Sequence, residues 1–191
     1  MLPSFVPAKL LLSKDWLSSE DLTEEIVSPS IKAALQVPGL LTLALQDVYE
    51  EPVSVECVRQ SVGPSDQNAA QEPPGLRRDV ILKAGNTPCV TASTLMPSSV
   101  LKLHPWLGKL GNKPLGESLE QRVPHRRGEF EFAQVDLHLT FPLEPPSVHF
   151  IWARRYRFSL EGGDLLVTEI FLPGVLGRLA QGLAFTPQVS V

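Results

Sequence analysis

The chain has 191 residues, of which 43% are apolar and 20% are charged, and its formal net charge is −4. These values fit one globular domain over residues 1–191, and the acidic balance argues against a general binder of nucleic acid or anionic membranes. Two cysteines are too few for a disulfide framework, and the four histidines lack metal-ligand spacing. With no stretch long enough to span a membrane and no recognisable signal peptide, we expect a cytoplasmic protein, acting as a monomer and without a metal site.

The front of the chain predicts helices. Ser18 or Ser19 is the expected N-cap of a first helix over "SSEDLTEEI", whose acidic residues fall in the first turn. A second short helix begins near Pro29, an early-turn proline, with Ser28 or Ser30 as its cap.

The middle of the chain predicts strands and turns. Apolar residues alternate over residues 53–58, and a polar, proline-rich stretch over residues 63–75 predicts a flexible loop. Two further strands, over residues 76–85 and 89–97, form a hairpin across residues 84–88. Short helical pieces around glycine-rich turns follow.

The last third predicts three more strands. In "GEFEFAQVDLHLTF" the apolar alternation changes phase near residues 133–134, which predicts a β-bulge. Residues 148–173 form two strands joined by a turn at residues 161–164. The rest of the chain begins with a weakly helical stretch over residues 175–184, and the tail, over about residues 177–191, ends irregularly. The total is about six strands, mostly joined as hairpins, which predicts an α+β fold with helices on one face of an antiparallel sheet.

Charged residues occur inside the predicted strands. In "WARRYRF", alternation places Arg155 and Arg157 on one face and Arg154 and Tyr156 on the other. Glu169 lies in the apolar strand "LLVTEIFLP", where an unpaired carboxylate is costly to desolvate. It either pairs with an arginine on the neighbouring strand or forms one end of a pocket that has a cation at the other end. The residues alone leave both interpretations open.

Three stretches, taken in order, resemble the chorismate pyruvate-lyase family. They are "RDVILKAGNTPCVTASTLMP" (residues 78–97), "LGNKPLGESL" (residues 110–119) and "WARRYRFSLEGGDLLVTEIFLP" (residues 152–173). The resemblance implies a six-stranded antiparallel sheet with flanking helices and an internal ligand cavity under helical flaps.

The resemblance also implies an activity and a set of site residues. The family converts chorismate into 4-hydroxybenzoate and pyruvate, the entry to the ubiquinone head group, without a metal or organic cofactor. By match to its motif, Arg78 binds the ring carboxylate and Glu169 the ring hydroxyl. Leu115 walls the pocket, and Leu22 forms part of a flap.

Little protein chemistry is required, because loss of the side chain makes the ring aromatic. The enzyme has to hold the reactive conformer and stabilise the charge that develops on the ether oxygen. We expect Arg155 or Arg157 to serve the second role and count both among the substrate-binding residues.

The chain departs from the family pattern at three positions. Cys89 stands where a bulky residue such as tryptophan is usual, Ser93 where many members have arginine, and Tyr156 where serine is common. Loss of the cation at position 93 is expected to affect admission of the anionic substrate.

A non-catalytic, aromatic-acid-binding sensor domain of the same fold is the second interpretation. The ligand-binding domains of one class of bacterial transcription regulators resemble this fold, and fold alone does not settle function. Such regulators carry an N-terminal DNA-binding helix-turn-helix, whereas only about 15 residues precede the first predicted helix here. Turnover separates the two, since a sensor binds the aromatic acid without releasing pyruvate.

Overall fold

A computed structural model describes residues 16–63, 75–137 and 149–185. The predicted flexible loop lies almost entirely outside these ranges. The described residues form seven strands: Val53–Gly63 (β1), Gly75–Ala84 (β2), Thr87–Pro97 (β3), Arg126–Arg127 (β4), Glu131–Leu137 (β5), His149–Leu160 (β6) and Gly163–Phe171 (β7). They also form five α-helices and one 3-10 helix: Pro29–Leu35 (α1), Leu41–Tyr49 (α2), Ser98–Leu103 (α3), Pro105–Lys109 (3-10), Leu115–Glu120 (α4) and Val175–Phe185 (α5).

The strands form one antiparallel sheet in the order β1-β2-β3-β7-β6-β4, and β5 also pairs with β6. The α+β prediction is confirmed, with seven strands rather than six. The extra strand arises because β4 and β5 pair with different parts of the same edge of β6. Between them the Gly128 N–H donates to the Arg157 carbonyl at 2.8 Å.

Both predicted hairpin turns are present. The β2–β3 turn contains Gly85 at φ 54°. The β6–β7 turn contains Gly162 at φ 96°, where a side chain would also place its Cβ 3.2 Å from the Ser99 carbonyl oxygen. Glycine therefore meets both a backbone and a packing requirement at this turn.

The predicted bulge in β5 is wrong, because its register with β6 is unbroken from Glu131 to Leu137. The phase of the apolar pattern changes because both faces of β5 are covered. Phe132 packs on one face of the strand in an apolar cluster with Leu35 and Phe171, whereas Val135 packs on the other face in a small cluster that includes Trp16.

The predicted first helix is also wrong, since residues 19–26 form turns. Ser18 and Asp21 do exchange hydrogen bonds, in the manner of a helix cap. Leu22, in this segment, and Val27, just after it, are buried and five positions apart, a spacing that would place them on different faces of a helix. The second helix begins as predicted, with the Ser28 hydroxyl accepting from the Ile31 N–H at 3.4 Å.

At the C-terminal end, α5 confirms the predicted helical stretch and continues to residue 185, so the irregular part of the tail does not begin at residue 177. Residues 186–191 lie outside the described part of the chain. Within that part no helix combines the length and the apolar character that crossing a membrane needs.

Two groups of helices cover the inner face of the sheet, each over its own core cluster. The first cluster lies under α1, α2 and α5 and includes Leu35, Leu45, Val80, Val90, Phe171 and Leu179. The second lies under α3, the 3-10 helix and α4 and includes Met96, Val100, Leu107, Leu119, Phe158 and Leu165. The charged residues of the inner face come between these two apolar regions.

Candidate active site

A belt of charged side chains crosses the inner face of the sheet. The strand register pairs Arg78 of β2 with Thr94 of β3, Ala92 of β3 with Glu169 of β7, and Glu169 with Arg154 of β6. Since directly paired and alternate residues share a face, all of these side chains lie on the inner face. Arg78, Arg154 and Glu169 are only 2%, 1% and 5% exposed, so each charge needs a partner.

A pocket lies above this belt, between the two helical groups. Its floor is formed by strand residues, and its roof by residues 39–42 at the start of α2 and residues 114–116 at the start of α4. We call these the roof segments. The Thr42 hydroxyl donates to Glu117 Oε1 at 3.1 Å, which joins the first segment to α4. The charged residues lining the pocket are Arg78, Arg127 and Glu169.

Arg78 forms one end of the pocket. Its Nη2 donates to the carbonyls of Gly111 and Lys113 at 2.8 and 2.9 Å, which fixes the guanidinium against the turn before α4. Its buried Nε has no hydrogen-bond partner among the described residues. Burial lowers the pKa of Arg78 from its ordinary value and the Cys57 thiol opposes this, but arginine remains protonated. A buried cation with a spare donor is suited to an anionic ligand.

Glu169 lies toward the other end. Its Oε2 accepts from Arg154 Nε at 2.6 Å and its Oε1 from the Tyr156 hydroxyl at 3.2 Å. Arg154 also donates from Nη1 to the Leu35 carbonyl, at 2.8 Å. Burial, and then the nearby Glu169 carboxylate, raise the pKa of Tyr156, so its hydroxyl remains a donor at neutral pH.

Both interpretations of Glu169 therefore hold together: the residue pairs with a neighbouring arginine and also lines a pocket. A carboxylate has about four acceptor positions, and two are occupied here, which leaves capacity for a ligand hydroxyl.

The spacing of the two ends follows from the sheet. Arg78 and Glu169 lie on strands separated by β3, and their partners on β3 are two residues apart. Two strand spacings and two residues of rise place their Cα atoms roughly 12 Å apart. This separation leaves room for one ring between two side chains that both line the pocket.

The other predicted site residues have different positions. Leu115, the first residue of α4, lines the pocket in its roof. Leu22 is 1% exposed and packs in the first core cluster, and it is not among the residues that line the pocket.

Arg155 and Arg157 require a correction, because both lie on the outer face of β6. Arg155 donates to the Glu131 carboxylate at 2.7 and 3.0 Å, and Arg157 is exposed. The strand alternation already separated them from Arg154, which is the arginine of this stretch that points to the pocket side.

Arg127 was missed by the sequence analysis. Its pairing with Phe158, a pocket residue, places it on the inner face. Its Nη1 donates to the Gly39 carbonyl in the roof at 2.7 Å, and its guanidinium lies 5.1 Å from the centre of the Phe130 ring. A strand of two residues is too short to show alternation, so no pattern in the sequence marked this residue.

The chain is similar to proteins of one known family. The family model for chorismate lyase matches residues 10–180. The chain therefore belongs to the chorismate lyase family. A probable chorismate pyruvate-lyase of Shewanella sp. (strain W3-18-1) is 30% identical over 84% of this chain and 90% of its own length. One of Nitrosospira multiformis is 32% identical over 78% of this chain and 90% of its own length.

Among solved structures, the effector domain of PhnF from Mycobacterium smegmatis matches with a TM-score of 0.49 and 13% identity. The match covers 70% of this chain and 88% of that one, and it is too distant to bear on function.

The three departures of this chorismate lyase family member lie in different surroundings. Ser93 lies between the inward-facing Ala92 and Thr94, so it points to the outer face, away from the pocket. Cys89 is fully buried in the first core cluster. Tyr156 is the departure that lines the pocket, where it binds Glu169.

Proposed function

We propose that this chain is an enzyme that converts chorismate into 4-hydroxybenzoate and pyruvate. One observation carries the proposal: Arg78 and Glu169, the two residues expected from the resemblance to bind the ring, are buried on one face of the sheet and line the same pocket. Arg78 binds the ring carboxylate through its unpartnered Nε. Glu169 accepts a hydrogen bond from the ring hydroxyl. Leu115 closes the pocket from the roof.

The reaction breaks the bond between the ring and the ether oxygen of the enolpyruvyl group. The ring carbon that carries the hydroxyl loses its hydrogen, the ring becomes aromatic, and the methyl group of pyruvate gains a hydrogen. The protein contributes by holding the substrate in a reactive geometry between fixed ends. It also contributes positive charge near the leaving oxygen, from the inner-face arginines rather than from Arg155 or Arg157.

As part of the same proposal, the protein acts as a cytoplasmic monomer, and its product supplies the head group of ubiquinone. The family membership supports the product, and the acidic, ordinary globular composition supports the location.

The decisive experiment is to incubate the purified protein with chorismate in buffer containing a chelator, following pyruvate release and identifying the aromatic product. We expect pyruvate and 4-hydroxybenzoate in equal amounts. Absence of pyruvate from a folded protein that still binds 4-hydroxybenzoate would overturn the proposal and leave a sensor-type binder. A different hydroxybenzoate would keep the lyase class but contradict the placement of the ring hydroxyl at Glu169.

A further inference from the structure

Among the described side chains, the arginines of the inner face at or beside the pocket outnumber the carboxylates there. Arg78, Arg127 and Arg154 lie on this face together with Glu169. Glu169 pairs with Arg154, and within residues 16–63, 75–137 and 149–185 neither Arg78 nor Arg127 forms a salt bridge. The pocket therefore presents two cations that no carboxylate of these residues neutralises.

Arg127 is held in place without being neutralised. One of its nitrogens binds the Gly39 carbonyl, and its guanidinium lies over the Phe130 ring and 5.9 Å from the centre of the Tyr156 ring. Aromatic faces fix a guanidinium in orientation and still leave its other N–H groups to bind a ligand. The residue is half-buried, so a charge-assisted bond to it is less screened than at an open surface.

The position of Arg127 relative to Glu169 is informative. The Tyr156 hydroxyl binds Glu169, and the Tyr156 ring lies beside Arg127, so the guanidinium is near the Glu169 end of the pocket. In chorismate the hydroxyl and the enolpyruvyl ether are on neighbouring ring carbons. When the ring hydroxyl binds Glu169 and the ring carboxylate binds Arg78, the neighbouring ether lies near Glu169. The enolpyruvyl carboxylate then lies beside the Glu169 end of the pocket.

We propose that Arg127 binds the enolpyruvyl carboxylate of chorismate and so distinguishes the dicarboxylate substrate from the monocarboxylate product. This inference rests on the proposed function. It assigns one cation to each carboxylate of the substrate, with Arg78 for the ring and Arg127 for the side chain. After pyruvate leaves, 4-hydroxybenzoate has no group that reaches Arg127.

The test compares Arg127→Gln with Arg126→Gln. Arg126 is the adjacent residue, is exposed and pairs with Ser159 on the outer side, so the control removes the same charge from the opposite face. We expect Arg127→Gln to lower kcat/KM for chorismate about 10-fold or more, from loss of a charge-assisted bond. Its Kd for 4-hydroxybenzoate, measured by calorimetry, stays within about twofold of the wild-type value. Arg126→Gln changes neither quantity.

Equal losses for chorismate and 4-hydroxybenzoate would overturn the inference, because Arg127 would then only hold the roof through Gly39. An unchanged kcat/KM would overturn it as well. If Arg127→Gln does not fold, Arg127→Lys takes its place, with a smaller loss for chorismate alone expected and equal losses overturning the inference. An inactive wild-type protein instead contradicts the proposed function, so the two failures are distinguishable.

Discussion

Two neighbouring arginines of β6 make the same kind of bond on opposite faces of the sheet. Arg154 Nε lies 2.6 Å from a Glu169 carboxylate oxygen, and Arg155 Nε lies 2.7 Å from one of Glu131. The inner pair has side-chain exposures of 1% and 7%, whereas the outer pair has 28% and 44%. Bond length therefore does not separate the two pairs, but burial does, because water screens the outer pair and not the inner one.

The surroundings of the two pairs also differ. The inner pair extends to the Tyr156 hydroxyl and the Leu35 carbonyl, and Glu169 opens onto the pocket. The outer pair extends to Trp16, whose ring centre lies 4.3 Å from the Arg155 guanidinium. A charged pair that is buried, hydrogen-bonded to further groups and adjacent to a pocket is a stronger functional candidate than an exposed pair of equal geometry.

The largest expected effect comes from breaking the inner pair. Arg154→Met leaves the Glu169 carboxylate buried without its cation and frees the Leu35 carbonyl, which costs about 3–5 kcal/mol of the free energy of unfolding. Arg155→Met, the matched change on the outer face, costs at most about 1 kcal/mol. Urea unfolding of the wild type and the two variants measures both losses of the free energy of unfolding. Equal losses in the two variants would contradict the importance of burial.

Two neighbouring arginines of β2 also lie on opposite faces of the sheet, and they allow the same comparison for ligand binding. Arg78→Gln removes the buried cation proposed to bind the ring carboxylate, and we expect the Kd for 4-hydroxybenzoate to rise about 10- to 100-fold. Arg77→Gln is the control, because Arg77 lies on the outer face beside Asp79. Calorimetric titration measures both. Wild-type affinity in a folded Arg78→Gln protein would remove Arg78 from the site.

A smaller effect is expected at Tyr156, which keeps its ring in Tyr156→Phe but loses the hydrogen bond to Glu169. We expect about 1 kcal/mol lower stability toward urea. Binding of 4-hydroxybenzoate is not weakened, because Glu169 Oε1 gains a free acceptor position. Tyr49→Phe removes the other tyrosine hydroxyl, away from the pocket residues, and controls for binding. Weaker binding by Tyr156→Phe alone would mean that this hydroxyl itself contacts the ligand.

Alternation and turn chemistry predicted most of the sheet, because both signals are local. The hairpins at Gly85 and Gly162 follow from residues that tolerate positive φ. The seventh strand was not predictable, since β4 has only two residues and its separation from β5 depends on contacts with β6. The β5 pattern was misread because coverage of its second face, by the segment around Trp16, is a long-range property.

Pocket residues were predictable where a motif or a strand period marked them. Arg78, Leu115 and Glu169 were chosen from a resemblance to family motifs, and all three line one pocket. Alternation placed Arg154 and Arg155 on opposite faces of the sheet, but it did not show which of the two faces the pocket. Arg127 reaches the pocket through sheet pairing between distant parts of the chain, which no local pattern records.

The smallest expected effect is the contribution of the outer pair, Arg155 and Glu131, to the pH dependence of stability. Hydrogen bonds from Arg155 hold the pKa of Glu131 below its ordinary value of 4.5, so the ionised carboxylate stabilises the fold above that pH. This contribution is lost as the pH falls through the lowered pKa, and solvent exposure limits it to less than about 1 kcal/mol. We therefore expect Glu131→Gln to be slightly less stable than wild type at pH 7 and equally stable at strongly acidic pH.

Glu129→Gln, a change at an exposed neighbour, is the control for charge alone. A stability difference that persisted unchanged at acidic pH would mean that Glu131 acts through packing rather than through its charge.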